Sequence, residues 1–419
     1  MKRSPAKGTD AKPAPAPKLR FPEFQDGSDW ETAALGSLVT ISSEKVGDNE
    51  CVPMSITSGV GLVSQMEKFG RVIAGSSYKN YLLLKKNDFA YNKSATKEYP
   101  EGFIALYSGD ALAAVPNSIF TAFRINGDSP VPKYLNYLFL GNLHGQWLRK
   151  FIEVGARAHG SLSIDEDDLL ALPVPLPGGS SSIDEQQKIA ECLSTLDELM
   201  ATESQKLDAL KAHKKGLMQQ LFPREGETLP RLRFPEFQDA PEWEEREVGE
   251  VFSVTRGQVL AMPRVSDTQT LKSPYPVYSS QTKRSGLAGF YSDFLFEDAI
   301  TWTTDGANAG DVNFRPGKFY CTNVCGVLLS SEGYANPCTA ALINSISRNH
   351  VSYVGNPKLM NGVMAKIVIA FPSVAEQNRI ASCLSFLDDL IAAQSDQLEA
   401  LKTHKKGLMQ QLLPSPVEA

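Results

Sequence analysis

Apolar residues recur at alternating three- and four-residue steps in two well-separated stretches of the chain. The first seam is Leu193, Leu196, Met200, Leu207, Leu210, Leu217 and Leu221; the second is Leu384, Leu387, Ile391, Leu398, Leu401, Leu408 and Leu412. This spacing predicts two long helices with coiled-coil seams. Polar residues break both seams at matched places, Glu203 with Gln394 and Lys214 with Lys405, where they can set register. A second apolar edge, Ile189, Cys192 and Leu199 with their equivalents, predicts more than one packing partner. Ser182 stands three residues before Glu185, and Ser373 three before Glu376, the spacing of a capping box. Pro223 and Pro414 stop the helices. Gly216 and Gly407 each cost about 1 kcal/mol against alanine in a helix interior, which points to close approach of another backbone. The simplest arrangement pairs the helices antiparallel within the chain, with pseudo-twofold symmetry.

The two stretches are copies. Residues 185–223 and 376–414 align without a gap at a constant offset of 191, Glu185 to Glu376, and two thirds of their positions are identical. A second pair, PKLRFPEFQD at Pro17–Asp26 and PRLRFPEFQD at Pro230–Asp239, repeats at an offset of 213, and Trp30 and Trp243 follow. The intervening segments look unrelated. Strands are expected at Tyr81–Lys85, Phe103–Tyr107, Ala299–Thr303, Val324–Leu329 and Lys366–Ile369, and helices at Lys133–Phe151 and Ala340–Ser347. The fold class is therefore α+β, with two globular domains separated by two long helices. The organisation reads as a disordered tail over residues 1–17, a first domain over 18–181, a helix over 182–223, a second domain over 224–372, a helix over 373–414 and a tail over 415–419.

Charge refines the picture. The chain carries a formal net charge of −6, which excludes gripping a polyanion by bulk charge. Lys68–Lys97 nevertheless holds seven basic residues against one acid, and Arg256–Arg284 five against one. These stretches interleave with Tyr78, Asn80, Tyr81, Tyr91, Asn92, Tyr278 and Gln281. Arginine and lysine suit phosphates and guanine, and asparagine and glutamine suit adenine edges. Catalytic signatures are scarce: no phosphate loop of the GxxxxGK[ST] form occurs, and His213 and His404 fall on the repeated helices. Cys321, Cys325 and Cys338 lack a second cysteine pair or histidine at metal-ligand spacing. No metal, cofactor or catalytic residue is assigned to the chain. No secretory signal and no apolar run of membrane-spanning length is visible, so a cytoplasmic location is expected.

The LRFPEFQD tags at Leu19–Asp26 and Leu232–Asp239, and helices ending in KKGLMQQLFP and KKGLMQQLLP, resemble the specificity subunits of type I restriction–modification systems. So do Lys79–Asn80–Tyr81 with Asp88–Ser94, the loop Gly155–Leu162, and the segments Thr303–Gly310 and Lys318–Val327. The resemblance covers nearly the whole chain outside the N-terminal tail. It implies a non-catalytic subunit of a phage-defence system, whose two target recognition domains read the halves of an asymmetric bipartite sequence in double-stranded DNA. It implies an antiparallel coiled coil that sets the gap between the halves. Two modification subunits dock on it and methylate adenine with S-adenosylmethionine, and two restriction subunits using ATP and Mg can join. The DNA-contacting candidates are Lys79, Asn80, Asn92, Lys93, Arg157 and His159 in the first domain. In the second they are Gln281, Lys283, Arg284, Thr304, Asn308 and Asn323. The alternatives are a specificity subunit of another phage-defence complex and a two-domain protein-binding scaffold.

Overall fold

A computed structural model describes residues 16–57, 59–152, 157–158, 161–162, 164–224, 226–281 and 283–414. The expected tails, apart from Ala16 and Pro17, lie outside them. The chain divides into two compact units, one running to Thr202 and resuming at Leu398, the other spanning Glu203–Gln397.

In the first unit, strand Glu31–Ala34 pairs antiparallel with Pro173–Leu176 and leads through a short helix, Leu35–Leu38, into strand Val39–Ser42. That strand edges a four-stranded antiparallel sheet completed by Phe120–Ile125, Phe89–Asn92 and Phe103–Leu106. A second four-stranded sheet orders Gly61–Ser64, Val52–Thr57, Ala113–Val115 and Leu82–Leu84. Helix Pro132–Leu140 buries Tyr134, Leu135 and Leu138 in a core shared with Phe89 and Phe123. The single helix expected over Lys133–Phe151 is instead broken into Pro132–Leu140, Leu143–Leu148 and a 3-10 turn, Arg149–Phe151. The break falls at Asn142, whose φ of 66° lies in the left-handed region and ends the helical run.

In the second unit, strand Glu244–Glu247 pairs with Val368–Phe371, and a short helix, Val248–Val251, leads into strand Ser253–Arg256. A six-stranded sheet follows, in the order Ser253–Arg256, Cys325–Leu329, Phe296–Thr303, Val312–Cys321, Tyr275–Tyr278, Leu287–Tyr291. Its pairings are antiparallel except between Tyr275–Tyr278 and Val312–Cys321. The expected strand over Lys366–Ile369 is shifted to Val368–Phe371, and the helix over Ala340–Ser347 starts earlier, at Pro337.

The reading of the two domains as unrelated is corrected by what they share. Gly36 and Gly249 stand 213 residues apart, in the register of the tags. A Cβ added at either would lie 3.1 Å from the Cβ of Leu170 or of Ala365. The preceding residues make the same ladder bond, Leu35 N–H to Leu172 O at 2.8 Å and Val248 N–H to Ile367 O at 2.9 Å. Both tag tryptophans, Trp30 and Trp243, are buried. The shared frame needs only these few positions, so little identity survives around them.

The long helices are Ser182–Leu221 and Val374–Leu412. Within each unit, one helix's first half runs antiparallel to the other's second half. In the first, Ile189 and Leu193 share a core with Leu408, Met409 and Leu412, and Asp197 pairs with Lys405. In the second, Leu217, Met218 and Leu221 share a core with Ile380 and Leu384, and Lys214 pairs with Asp388. These ion pairs are the same contact made twice, and the matched polar residues Glu203 and Gln394 bond each other. Leu193, Leu207, Leu384, Leu387 and Leu398 are buried; Leu196, Met200, Leu210, Leu217, Ile391, Leu401 and Leu408 are half-buried. A Cβ added at Gly216 or Gly407 meets nothing within 4 Å, so no backbone of the described residues explains these glycines.

The helix starts differ from a capping box. Both carboxylates are engaged by tag arginines: Arg20 donates to Glu185 at 2.8 and 2.7 Å, and Arg233 to Glu376 at 2.8 and 2.7 Å. The adjacent tag backbone reaches the end of the other helix, Leu19 N–H to Gln411 O and Leu232 N–H to Gln220 O, each at 2.9 Å. The next helix residue holds the domain. Gln186 accepts from Val131 N–H, at the start of helix Pro132–Leu140, at 2.8 Å. Gln377 accepts from Asn336, the N-cap of helix Pro337–Ser347, at 2.7 Å. Ser373 Oγ still accepts from Glu376 N–H at 3.3 Å, but Ser182 Oγ is taken by Gln186.

Arg233→Met leaves the Glu376 carboxylate buried without its cation, and removing one partner of a buried pair costs about 3–5 kcal/mol. Denaturant unfolding should register a loss of that size. The double substitution Arg233→Met with Glu376→Leu should recover most of it.

Candidate nucleic-acid interface

In the second unit, neighbouring strands end together, so that their loops converge. Residues 279–281 and 283–286 follow strand Tyr275–Tyr278, residues 304–311 follow Phe296–Thr303, and residues 322–324 link Val312–Cys321 to Cys325–Leu329. Hydrogen bonds tie the loops: Thr322 N–H to Tyr278 O at 2.9 Å, Thr322 Oγ1 to Ser279 Oγ at 3.1 Å, and Asn308 Nδ2 to Ser280 O at 3.3 Å. A fourth loop, closed by reciprocal 2.9 Å bonds between Ser352 and Lys358, joins through Gly306 N–H to Pro357 O at 3.0 Å. Its tip exposes Tyr353 and Val354. Between the first loop and the sheet lies a polar cavity of about 290 Å³, lined by Ser279, Gln281, Ser285, Thr303, Asn313 and Arg315 among others.

Four of the six candidates in this domain present themselves here. Gln281, Arg284 and Asn323 are exposed and Asn308 is half-buried. Lys283 opens the turn Lys283–Gly286, and its side chain lies outside the described residues. Thr304 requires correction as a contact residue. It has no exposed surface, its backbone N–H donates to Val324 O at 3.0 Å, and its hydroxyl lies within bonding reach of Asp305 and Val324 O. It holds the loop.

In the first unit, Lys79 and Asn80 are exposed on the 3-10 turn Ser76–Asn80, and Lys79 Nζ pairs with Asp48 at 2.6 Å. Asn92 is corrected in the same way as Thr304: it is buried at a strand end, with Oδ1 accepting from Ser94 N–H at 3.0 Å. Lys93 is half-buried, and its carbonyl accepts from Leu162 N–H at 2.8 Å. That bond joins it to the antiparallel pair Arg157–Ala158 and Ser161–Leu162. The Arg157 side chain and all of His159 lie outside the described residues. Lys79 and Asn80 instead lead into a strand of the other sheet. The positive stretch is also less naked than its linear count. Lys79, Lys85 and Lys86 face Asp48, Glu44 and Asp110, brought in from elsewhere.

Sequence reading missed Arg315, Tyr353 and Val354. Arg315 lies inside a strand at 8% exposure, where burial pulls its pKa down. Its Nε donates to Thr301 Oγ1 at 3.0 Å, its Nη2 to Ser285 O at 2.7 Å, and the guanidinium sits 3.8 Å from the Tyr278 ring centroid. Nothing local in the sequence distinguishes it. His144 and three cysteines, groups with catalytic chemistry, are buried. His144 is buried edge-on to Tyr91 and Phe139, with its pKa pushed down to about 4 by desolvation. Cys321, Cys325 and Cys338 are buried, and desolvation raises the Cys325 thiol to about 11.

Residues 241–403 match the family described as Type I restriction modification DNA specificity domain. The chain is 26% identical over 332 residues to the MjaX type I restriction enzyme specificity subunit of Methanocaldococcus jannaschii, covering 75% of each. It is 35% identical over 140 residues to a type I specificity subunit N-terminal chain of Mycoplasma pneumoniae, covering 33% of this chain and 73% of that one. The fold resembles the crystal structure of a type I restriction–modification S subunit from M. genitalium, with a TM-score of 0.60, 16% identity, and 96% and 99% of the two chains covered. A chain from work on complex assembly and conformational transition of the type I R-M system gives 0.55 at 14% identity, covering 93% and 98%. The chain belongs to the specificity subunits of type I restriction–modification systems, a non-catalytic family.

Proposed function

We propose that each globular domain reads one half of an asymmetric, bipartite DNA target, and that the long helices set the gap and dock two modification subunits. Those subunits would carry S-adenosylmethionine and methylate adenine, and restriction subunits would add ATP- and Mg-dependent steps; this chain supplies the address. The observation that carries the reading is one clamp used twice, Arg20–Glu185 and Arg233–Glu376, holding two domains whose loops differ. A common mount with unlike loops suits one task performed on two sequences. Among the described residues no helix is long and apolar enough to cross a membrane. The test is methylation mapping by long-read sequencing, in cells carrying this chain with its genomic neighbours and in cells lacking the chain. Loss of N6-methyladenine at one split, asymmetric motif is expected. An unchanged methylome would overturn the reading.

At single residues, Gln281→Ala, Arg284→Ala and Asn323→Ala should each cost about 1–3 kcal/mol of specific binding and relax preference at one base pair. Competition binding against single-base variants of the mapped target measures this. Equal weakening on every sequence would make that residue a phosphate contact.

Docking on the helices leads to a second expectation. Gly216→Ala and Gly407→Ala place methyl groups in open space in this chain, so each should stabilise it by about 1 kcal/mol through helix propensity. If a modification subunit's backbone packs there, the same changes should weaken assembly. Thermal unfolding of the free chain and titration with modification subunits separate the two effects.

A further inference from the structure

We infer that Arg315 is a positioning residue for sequence recognition by the second domain: it braces the 283–286 turn from behind in the conformation that presents Arg284. The inference rests on the proposed reading that this turn meets DNA. Arg284 and Ser285 have φ values of 49° and 50°, and Gly286 has 87°. Three successive left-handed residues are unusual, and only the last is glycine. The first two carry side chains that disfavour this region, so the turn needs support from its surroundings. Glycine is required at the third place, because a Cβ on Gly286 would lie 2.8 Å from Ser279 O.

The support comes from one side chain. Arg315 Nη2 donates to the carbonyl of Ser285, the second strained residue, at 2.7 Å. The guanidinium is itself fixed on two other sides, by Thr301 Oγ1 at 3.0 Å and by the Tyr278 ring at 3.8 Å. Tyr278 ends the strand that leads into the turn, and Thr301 lies on the neighbouring strand Phe296–Thr303. Arg315 therefore ties the turn to two elements of the sheet. No carboxylate pairs with Arg315 among the described residues, so its charge-assisted bonds go to neutral oxygens. Lysine cannot replace it, because a single ammonium lacks the planar fork that bonds in two directions while its face rests on a ring.

The test uses the chain assembled with its modification subunits. It compares affinity for a duplex carrying the mapped target with affinity for one whose second half-site is scrambled. Arg315→Lys should lower that ratio at least tenfold, with affinity for the scrambled duplex unchanged. Ser285→Gly in the Arg315→Lys background should restore most of the ratio, because glycine takes the left-handed conformation without a brace. Arg284→Ala is the reference. If Arg284→Ala lowers the ratio and Arg315→Lys does not, the positioning role is overturned while the reading of the turn stands. If neither moves it, the turn does not read DNA, and the inference falls with that reading. If Arg315→Lys also lowers the thermal unfolding midpoint and Ser285→Gly restores neither property, Arg315 is a general stabiliser of the sheet, and the inference is likewise overturned.

Discussion

The architecture depends on a buried carboxylate at the start of each long helix. Glu185 and Glu376 are each 1% exposed, and an ionised carboxylate so far from water is tolerable only against a well-placed cation. The tag arginine supplies it in bidentate form, which fixes direction as well as charge. The tag is held at the neighbouring residue too, because its backbone bonds the far end of the other helix. Each clamp thus joins three segments distant in sequence. The glutamine beside each glutamate then fastens the start of a domain helix. Two adjacent residues, Glu–Gln, carry both attachments, which is why tags and helices are repeated together.

Beyond the clamp the constraint relaxes. Gly36 and Gly249 must stay small where another backbone crosses, and the first strand of each domain must pair with its last. The loops at the sheet ends answer to no such demand. In the second unit, strand pairing brings three loops to one place and a backbone bond from Gly306 to Pro357 adds a fourth; in the first, the Lys93–Leu162 bond joins a strand end to the paired segments Arg157–Ala158 and Ser161–Leu162. Variable loops on a rigid mount are the usual way to change what a domain recognises without changing how it folds.

The charge distribution fits directed recognition better than bulk attraction. With a formal net charge of −6, and Lys79, Lys85 and Lys86 facing acids, long-range steering toward a polyanion is limited. What the second unit offers instead is amide and guanidinium groups held in place. Thr304 and Asn92 serve that end from the inside: their side chains are occupied in shaping loops, and neighbouring residues face outward.

The long helices, their seams and the repeated tags were legible in the sequence because each is encoded locally, by periodicity or by direct identity. The family was legible for the same reason. Antiparallel pairing was a fair inference from the seams, and within each unit it is the observed arrangement. The strands at Leu82–Leu84 and Phe103–Leu106 were legible as short apolar runs. What tertiary structure alone decided is everything set by partners remote in sequence. Glu185 reads as a capping-box residue until Arg20, 165 positions away, takes its carboxylate. The kinship of the two domains is hidden because backbone pairing and a few small residues sustain it, and these leave little identity. Arg315 looks like any strand arginine until Ser285, 30 positions away, is placed beneath it. Local pattern determines which segments become helices and strands, whereas burial and hydrogen-bond partners exist only after the chain has closed on itself.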